Sequence, residues 1–266
     1  MLEKFLEDGY TEAIDLLNED QIEQVLSACA AMPEKFLPWL KGRHSIVPEM
    51  VDLGSHPVLV DVVSKLLGDN LLLWSSQIIY QKPQVTHRWH IDVEHSTWDG
   101  VTVWLAMQNV TAGSIKLISR SQHLNITPQE LGEKYYVDLT DDMQVLHEAQ
   151  KRNPDCKLVN VKIKPGQFVI FDGRLWHGTH NATSNRRSSM IFQYTKPSNK
   201  LFIPLDNNYP GTRWSKLQPD CVLVKGRDDF RLNKIIDRDY SGSWKSKARV
   251  LMVHFPQKFL RKIIPA

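Results

Sequence analysis

His87-Arg88-Trp89-His90-Ile91-Asp92-Val93-Glu94-His95 is the stretch from which the fold is read. Over residues 89–93 it has the texture of a strand, and along a strand alternate side chains share a face, so His90 and Asp92 point the same way. An imidazole and a carboxylate on one face can hold a divalent metal. A second stretch, Phe168-Val169-Ile170-Phe171-Asp172-Gly173-Arg174-Leu175-Trp176-His177-Gly178-Thr179, runs apolar, turns, and then presents His177. Two His and one Asp from separate strands form the donor set that leaves coordination positions open on non-haem Fe(II). Zinc binds the same three groups. A lone strand histidine is usually structural. A carboxylate aimed into a sheet is costly unless it is paired or metal-bound, and that favours the ligand reading of the pair.

Working outward, short β-branched or aromatic runs flank both stretches. They are Leu71–Trp74, Ser76–Gln81, Val101–Val110, Ser114–Ile118, Leu158–Ile163, Gln167–Phe171 and Ser188–Tyr194, punctuated by Gly, Pro, Asn and Asp. Many such strands predict a sandwich or jelly roll. Helices are expected at the N-terminal end. One covers 11–32, with Asn18 as an N-cap within it and Pro33 as its stop. A second covers 57–67 and is stopped by Gly68-Asp69-Asn70. The class is therefore α+β. The gap from His123 to Lys157 holds a capping signature, Thr127-Pro128-Gln129-Glu130, and further helix.

At 266 residues the chain fits one large domain or a domain with an extension. Residues 1–266 are read as a single domain: a helical part about 1–70, a sheet core about 71–196 and an irregular extension about 197–266. The net charge of +3 is too small to argue for nucleic acid or an anionic membrane surface. No apolar run approaches the roughly 20 residues of a spanning helix, and the first residues lack a signal peptide's apolar core. Cys29, Cys156 and Cys221 show no paired metal or redox spacing, so reduced thiols and a cytoplasmic location are expected.

The ordered set of His90, Asp92, His177 and then Arg187 resembles the Fe(II)/2-oxoglutarate-dependent oxygenases, and within them the phytanoyl-CoA dioxygenase-like group. Phe5-Leu6-Glu7-Asp8-Gly9-Tyr10 looks like that group's opening. Val101-Thr102-Val103-Trp104-Leu105-Ala106-Met107 looks like its strand after the metal motif. Ser114-Ile115-Lys116-Leu117-Ile118-Ser119-Arg120-Ser121-Gln122-His123 and Lys164-Pro165-Gly166-Gln167 resemble two further segments of it. The likeness spans roughly residues 5–196. It implies a double-stranded β-helix, or cupin-like jelly roll, with flanking helices. It also implies Fe(II) on His90, Asp92 and His177, with 2-oxoglutarate and molecular oxygen as co-substrates and a small molecule as substrate.

The distal carboxylate of 2-oxoglutarate needs a cation, and a guanidinium fork matches a carboxylate in two bonds. Arg186 and Arg187 are adjacent and face opposite ways on a strand. Arg187-Ser188-Ser189 has the Arg-x-Ser pattern of the resemblance, which selects Arg187 with Ser189 and keeps Arg186 as runner-up. The same resemblance places Thr179 and Trp104 beside the cosubstrate and gives Asn181 a part in the turn. Asp92 favours hydroxylation of an unactivated C–H bond, because related halogenases carry a small residue there. Desaturation, cyclisation and epoxidation would use the same residues. A non-catalytic metal-binding sandwich and a metal hydrolase are the competing classes, and neither needs a carboxylate clamp after the third ligand. His87, Glu94 and His95 are read as surface or substrate neighbours, Asp172 as a turn residue and His123 as a loop anchor. Lys116, Arg120 and the basic tail from Lys245 to Lys262 are compatible with an anionic substrate. Residues 123–157 and the extension after Pro197 are expected to cover the metal. The alternative is that they pad the outer face of the sheet.

Overall fold

The computed structural model describes residues 1–32, 37, 41–92, 99–202, 219–246 and 248. In chain order these form α1 (Leu2–Asp8), β1 (Ile14–Asp15), α2 (Glu19–Ala30), α3 (Pro48–Gly54), α4 (Pro57–Leu67), β2 (Leu71–Gln81), β3 (Thr86–His90), β4 (Gly100–Gln108), β5 (Ile115–Ile118), α5 (Pro128–Tyr135), α6 (Asp142–Gln150), β6 (Leu158–Asn160), β7 (Gln167–Asp172), β8 (His177–His180), β9 (Arg187–Thr195), β10 (Asp220–Lys225) and β11 (Lys234–Ile235).

The strands make two facing sheets. The larger runs β1-β7-β4-β9-β2-β10-β11 and the smaller β3-β8-β5-β6. Pairing is antiparallel except between β10 and β11. This is the α+β jelly roll that the strand pattern and the resemblance imply, with helices gathered at its N-terminal side. The helical layer packs against one face of the large sheet. Val51, Leu53, Leu59, Val62 and Val63 meet Leu73, Ile78, Val103, Leu105, Met190, Phe192 and Tyr194 in one buried cluster. Between the sheets, Trp104, Ala106, Val169 and Phe171 meet Ile115 and Leu117.

α4 spans the predicted residues, and α2 begins with a full capping box, the Asn18 side chain accepting from the Gln21 backbone while Gln21 reaches back. The α5 cap on Thr127 has the same reciprocal form with Glu130. The helix expected from residue 11 starts later, because Ile14 and Asp15 pair with Phe168 and Gln167 as β1. Gly166 makes this approach feasible. Its φ is +83°, and a Cβ there would stand 2.0 Å from the Leu17 carbonyl oxygen. The two runs Leu71–Trp74 and Ser76–Gln81 fuse into β2 across an irregularity between Leu73 and Ser75.

One further expectation changes. The extension after 197 is not wholly irregular: Cys221-Val222-Leu223 is an apolar run, and β10 adds it to the large sheet beside β2. Trp244, just before the basic tail, is 74% exposed. Leu251, Val253, Phe255 and the tail cations Lys247, Arg249, Lys258, Arg261 and Lys262 lie outside the described residues, as do Glu94 and His95.

Within 123–157, α6 packs on the outer face of the small sheet, while α5 reaches the backbone beside Asp92 through Gln129. Asp142, at the start of α6, accepts from Trp89 Nε1 at 3.0 Å and pairs with Lys116. Lys116 lies opposite Gly178 in the small sheet, on the face turned away from His177 and Thr179. Gly178 lets Trp89 lie close over the strand, with a ring carbon 3.4 Å from where a Cβ would be. The anchors of α6 thus belong to the outer face of the small sheet. Among the described residues, no helix is long and apolar enough to cross a membrane.

Candidate metal centre

β3 and β8 place the two histidines. His90 pairs directly with His177, and His87 with Thr179. Two residues of β3, Arg88 and Trp89, thus face one of β8, Gly178, and this bulge turns both His87 and His90 to the inner face despite their odd spacing. The rings of His87 and His90 stack at 4.5 Å and 18°. Those of His90 and His177 lie 4.1 Å apart at 51°.

Asp92 reaches the same point by another route than strand alternation. The strand ends at His90, and Asp92 sits in the bend that follows. Two anchors fix it there. Its amide donates to the Gly173 carbonyl at 2.9 Å. The Gln129 side chain of α5 clamps both backbone groups of Ile91, accepting at 3.3 Å and donating at 3.1 Å.

The donor atoms of His90, Asp92 and His177 lie within 4.8 Å of one another. His177 Nε2 stands 3.8 Å from Asp92 Oδ2. Each imidazole is held the same way. Nδ1 of His90 bonds the Arg88 carbonyl at 2.9 Å, and Nδ1 of His177 bonds the Leu175 carbonyl at 2.9 Å. A carbonyl only accepts, so Nδ1 carries the proton and Nε2 offers its lone pair. Burial pushes the His90 pKa down to about 3, helped by the neighbouring His177. Burial also lowers His177 against the pull of Asp92, and brings His87 to about 4. All three rings are therefore neutral at pH 7, the form in which imidazole binds metal. Burial penalises the Asp92 charge, but His177, Lys41, His90 and the Thr102 hydroxyl outweigh it and hold the carboxyl well below its usual range. Two neutral imidazoles and one carboxylate, pre-oriented with lone pairs converging, suit a divalent cation.

The Thr102 hydroxyl donates to Asp92 Oδ2 at 2.6 Å and accepts from Gln193 Nε2 at 3.4 Å. Thr102→Val should leave the fold intact and weaken metal binding by about 10–100-fold, the usual cost of losing an outer-shell partner. Chelator competition measures this, and an unchanged affinity would mean that Asp92 is aimed without the hydroxyl.

Arg187 opens β9 and is 1% exposed. It pairs across β2 with Gln81, and Ser189 pairs with Ala106 of β4, so Arg187, Ser189, Trp104 and Thr102 share the inner face. Arg187 Nη1 donates to the carbonyls of Ser114 and His180. Its guanidinium carbon lies 5.3 Å from the centre of the Trp104 ring. Burial brings its pKa down to about 10, so it stays charged at neutral pH. Among the described residues it has no carboxylate partner, and both its Nε and Ser189 Oγ are buried without a hydrogen bond. Arg186 points the other way, its guanidinium 3.9 Å over the Tyr80 ring. Thr179 Oγ1 lies 3.4 Å from Gln81 Oε1. Asn181 ties the turn before β9, donating to the Gln81 and Asn185 carbonyls and accepting from Thr183.

The family described as phytanoyl-CoA dioxygenase (PhyH) matches residues 5–189. The chain belongs to this family. Solved structures share the PhyH-like fold along most of their length. The non-heme monooxygenase ThoJ in its nickel complex superposes with a TM-score of 0.65 at 18% identity, covering 99% of this chain and 99% of that one. CytC3 with Fe(II) and alpha-ketoglutarate gives 0.65 at 17% identity, covering 88% and 91%. EctD from S. alaskensis with 2-oxoglutarate and 5-hydroxyectoine gives 0.60 at 21% identity, covering 89% and 86%. At these identities the likeness is one of fold. No curated protein sequence matches the chain.

The PhyH assignment accounts for the matched segments but not for several groups around the centre. Lys41 Nζ lies 4.0 Å from Asp92 Oδ1, in a stretch whose Pro and Gly content reads only as loop. Thr102 and Gln193 sit in strands that read as plain core. Their signal was a polar residue at an inward position of a buried strand. Lys116 and Arg120, read as candidates for an anionic substrate, are occupied elsewhere. Lys116 pairs with Asp142, and Arg120 pairs with Glu7, Asp8 and Asp155. His123 Nε2 bonds the Leu6 carbonyl at 3.2 Å, the contact of a loop anchor, and Asp172 accepts from the Arg174 amide in its turn.

Proposed function

We propose that the protein is a non-haem Fe(II)- and 2-oxoglutarate-dependent dioxygenase that hydroxylates an unactivated C–H bond of a small metabolite or natural-product intermediate. The observation that carries this is a buried, carboxylate-free guanidinium on the same inner face as a three-donor centre. A metal-binding sandwich or a metal hydrolase has no use for such a cation. Residues 1–266 are taken as one domain that serves this chemistry.

His90, Asp92 and His177 hold the iron, their imidazoles neutral and their carboxylate ionised before the metal arrives. Bound together, iron and 2-oxoglutarate supply the oxidising chemistry by which molecular oxygen is cleaved and the 2-oxo acid is decarboxylated to succinate. Arg187 takes the distal carboxylate of the cosubstrate in charge-assisted bonds, with Ser189 adding a hydroxyl and Trp104 a packing face. Thr179 lines the path between the two ends. Asp92 fills the third protein position with a carboxylate, which favours hydroxylation over halogenation. Burial of Arg187, Ser189, Trp104 and His177 limits the bulk water that can compete there.

The direct test is 2-oxoglutarate binding to the anaerobic iron-loaded protein, followed by succinate release on admitting oxygen. No binding by the iron-loaded protein would sink the assignment. Once a substrate is found, gain of one oxygen atom marks hydroxylation, and loss of two hydrogens marks desaturation or ring closure.

A further inference from the structure

The loop before α3 carries a cation that the oxygenase reading leaves without a task. Lys41 is pinned to the sheet from its own backbone, its carbonyl accepting from the Ser76 amide of β2 at 2.8 Å, and Gly42 bridges to the same Ser76. Its side chain is only 22% exposed, and its ammonium points at the metal centre. Among the described residues, Asp92 is the one carboxylate within 4.0 Å, and that separation is too long for a hydrogen bond. Asp92 also has other duties, because Thr102 and His177 already approach its Oδ2.

Charge balance sharpens the point. A divalent metal, Asp92, a dicarboxylate and Arg187 cancel one another. Imidazoles that ligate the metal add no charge. The Lys41 ammonium then leaves one positive charge uncompensated in a largely buried site, which an anionic guest would neutralise.

The floor on this side is polar as well. Gln193 pairs across β4 with Thr102 and across β2 with Ser75, so all three share the inner face. Gln193 Oε1 and Ser75 Oγ are fully buried and lack a hydrogen-bond partner among the described residues. They stand toward β2, the strand to which the Lys41 backbone is pinned. A plain hydrocarbon chain here would leave an ammonium, an amide oxygen and a hydroxyl all unpaired, each at a real cost.

We propose that Lys41 recognises an anionic group of the organic substrate, a carboxylate or a phosphate monoester, seated on the β2 side of the metal centre over Gln193 and Ser75. This rests on the oxygenase reading. It makes the substrate a small, hydrogen-bonding anion and excludes an apolar acyl tail from this subsite.

The test uses the full chain, anaerobic, loaded with Fe(II) and saturated with 2-oxoglutarate, and reads binding by calorimetry. The probes are matched pairs: 3-hydroxybutyrate against 3-hydroxybutyramide, and glycerol 3-phosphate against glycerol. At least one charged probe is expected to bind about tenfold or more tighter than its neutral partner, as a charge-assisted hydrogen bond implies. Which pair shows the larger ratio tells carboxylate from phosphate. Lys41→Met should bring that ratio to about one, while Lys41→Arg keeps it. Equal binding of charged and neutral probes to the wild type, or an undiminished ratio in Lys41→Met, overturns the proposal. So does a Lys41→Met variant that loses affinity for 2-oxoglutarate instead, which would assign Lys41 to the cosubstrate. Failure of the wild-type iron form to bind 2-oxoglutarate at all is a separate result. It removes the oxygenase reading, and this proposal with it.

Discussion

His177→Ala is expected to abolish succinate release and to weaken iron binding by well over about 100-fold. The bound follows from magnitude: loss of an outer-shell partner alone costs about 10–100-fold, and His177 supplies a direct donor. Its ring also closes the centre on the Phe171 side, at 4.6 Å between centroids. A thermal readout separates loss of metal from loss of fold. A ligand bound only by the folded state adds about 2.7 kcal/mol at 100 times its Kd. Anaerobic Fe(II) should therefore raise the Tm of the wild type and leave that of the variant unmoved, while the two apo proteins melt close together. Full activity in His177→Ala would remove the three-donor assignment altogether.

Arg187→Ala should raise the KM for 2-oxoglutarate at least about tenfold, since each charge-assisted bond is worth about 1.5–3 kcal/mol and 1.4 kcal/mol is a factor of ten. Lys at this position should rescue little, because an ammonium cannot reproduce a planar fork. Arg186→Ala is the control. That guanidinium stacks on Tyr80 away from the inner face, so its removal should leave the KM unchanged. If the two variants exchanged phenotypes, the cosubstrate would enter from the opposite side of β9.

Much of this architecture is legible in the sequence, and the gaps have physical causes. Strand texture, the capping signatures at Asn18 and Thr127, and α4 follow from local rules, and the structure agrees with them. β1 is hidden because two residues carry no periodicity of their own, and Gly166 makes room for them. The donors of the centre are visible because two types of metal-binding side chain recur in order. Its supports are not visible. Gln129 clamps Ile91 across 38 positions of sequence, and Thr102 bonds Asp92 from another sheet. Such contacts have no spacing rule, since tertiary packing alone makes them neighbours. Lys116 and Arg120 show the converse. Their charge is plain in the sequence, and the partners that neutralise it are not.

The two-faced character of β9 has a consequence for how the protein is made. Arg187, Ser189 and Gln193 look into the sandwich, while Met190, Phe192 and Tyr194 look into the helical layer. A slip of one residue against β4 and β2 would exchange every one of these side chains. It would drive a guanidinium into hydrocarbon and three large apolar groups onto a polar floor. The misassembled chain would be unstable and inactive for the same reason. The strand thus proofreads its own placement, and molecules that survive as soluble protein are those with the clamp already in position.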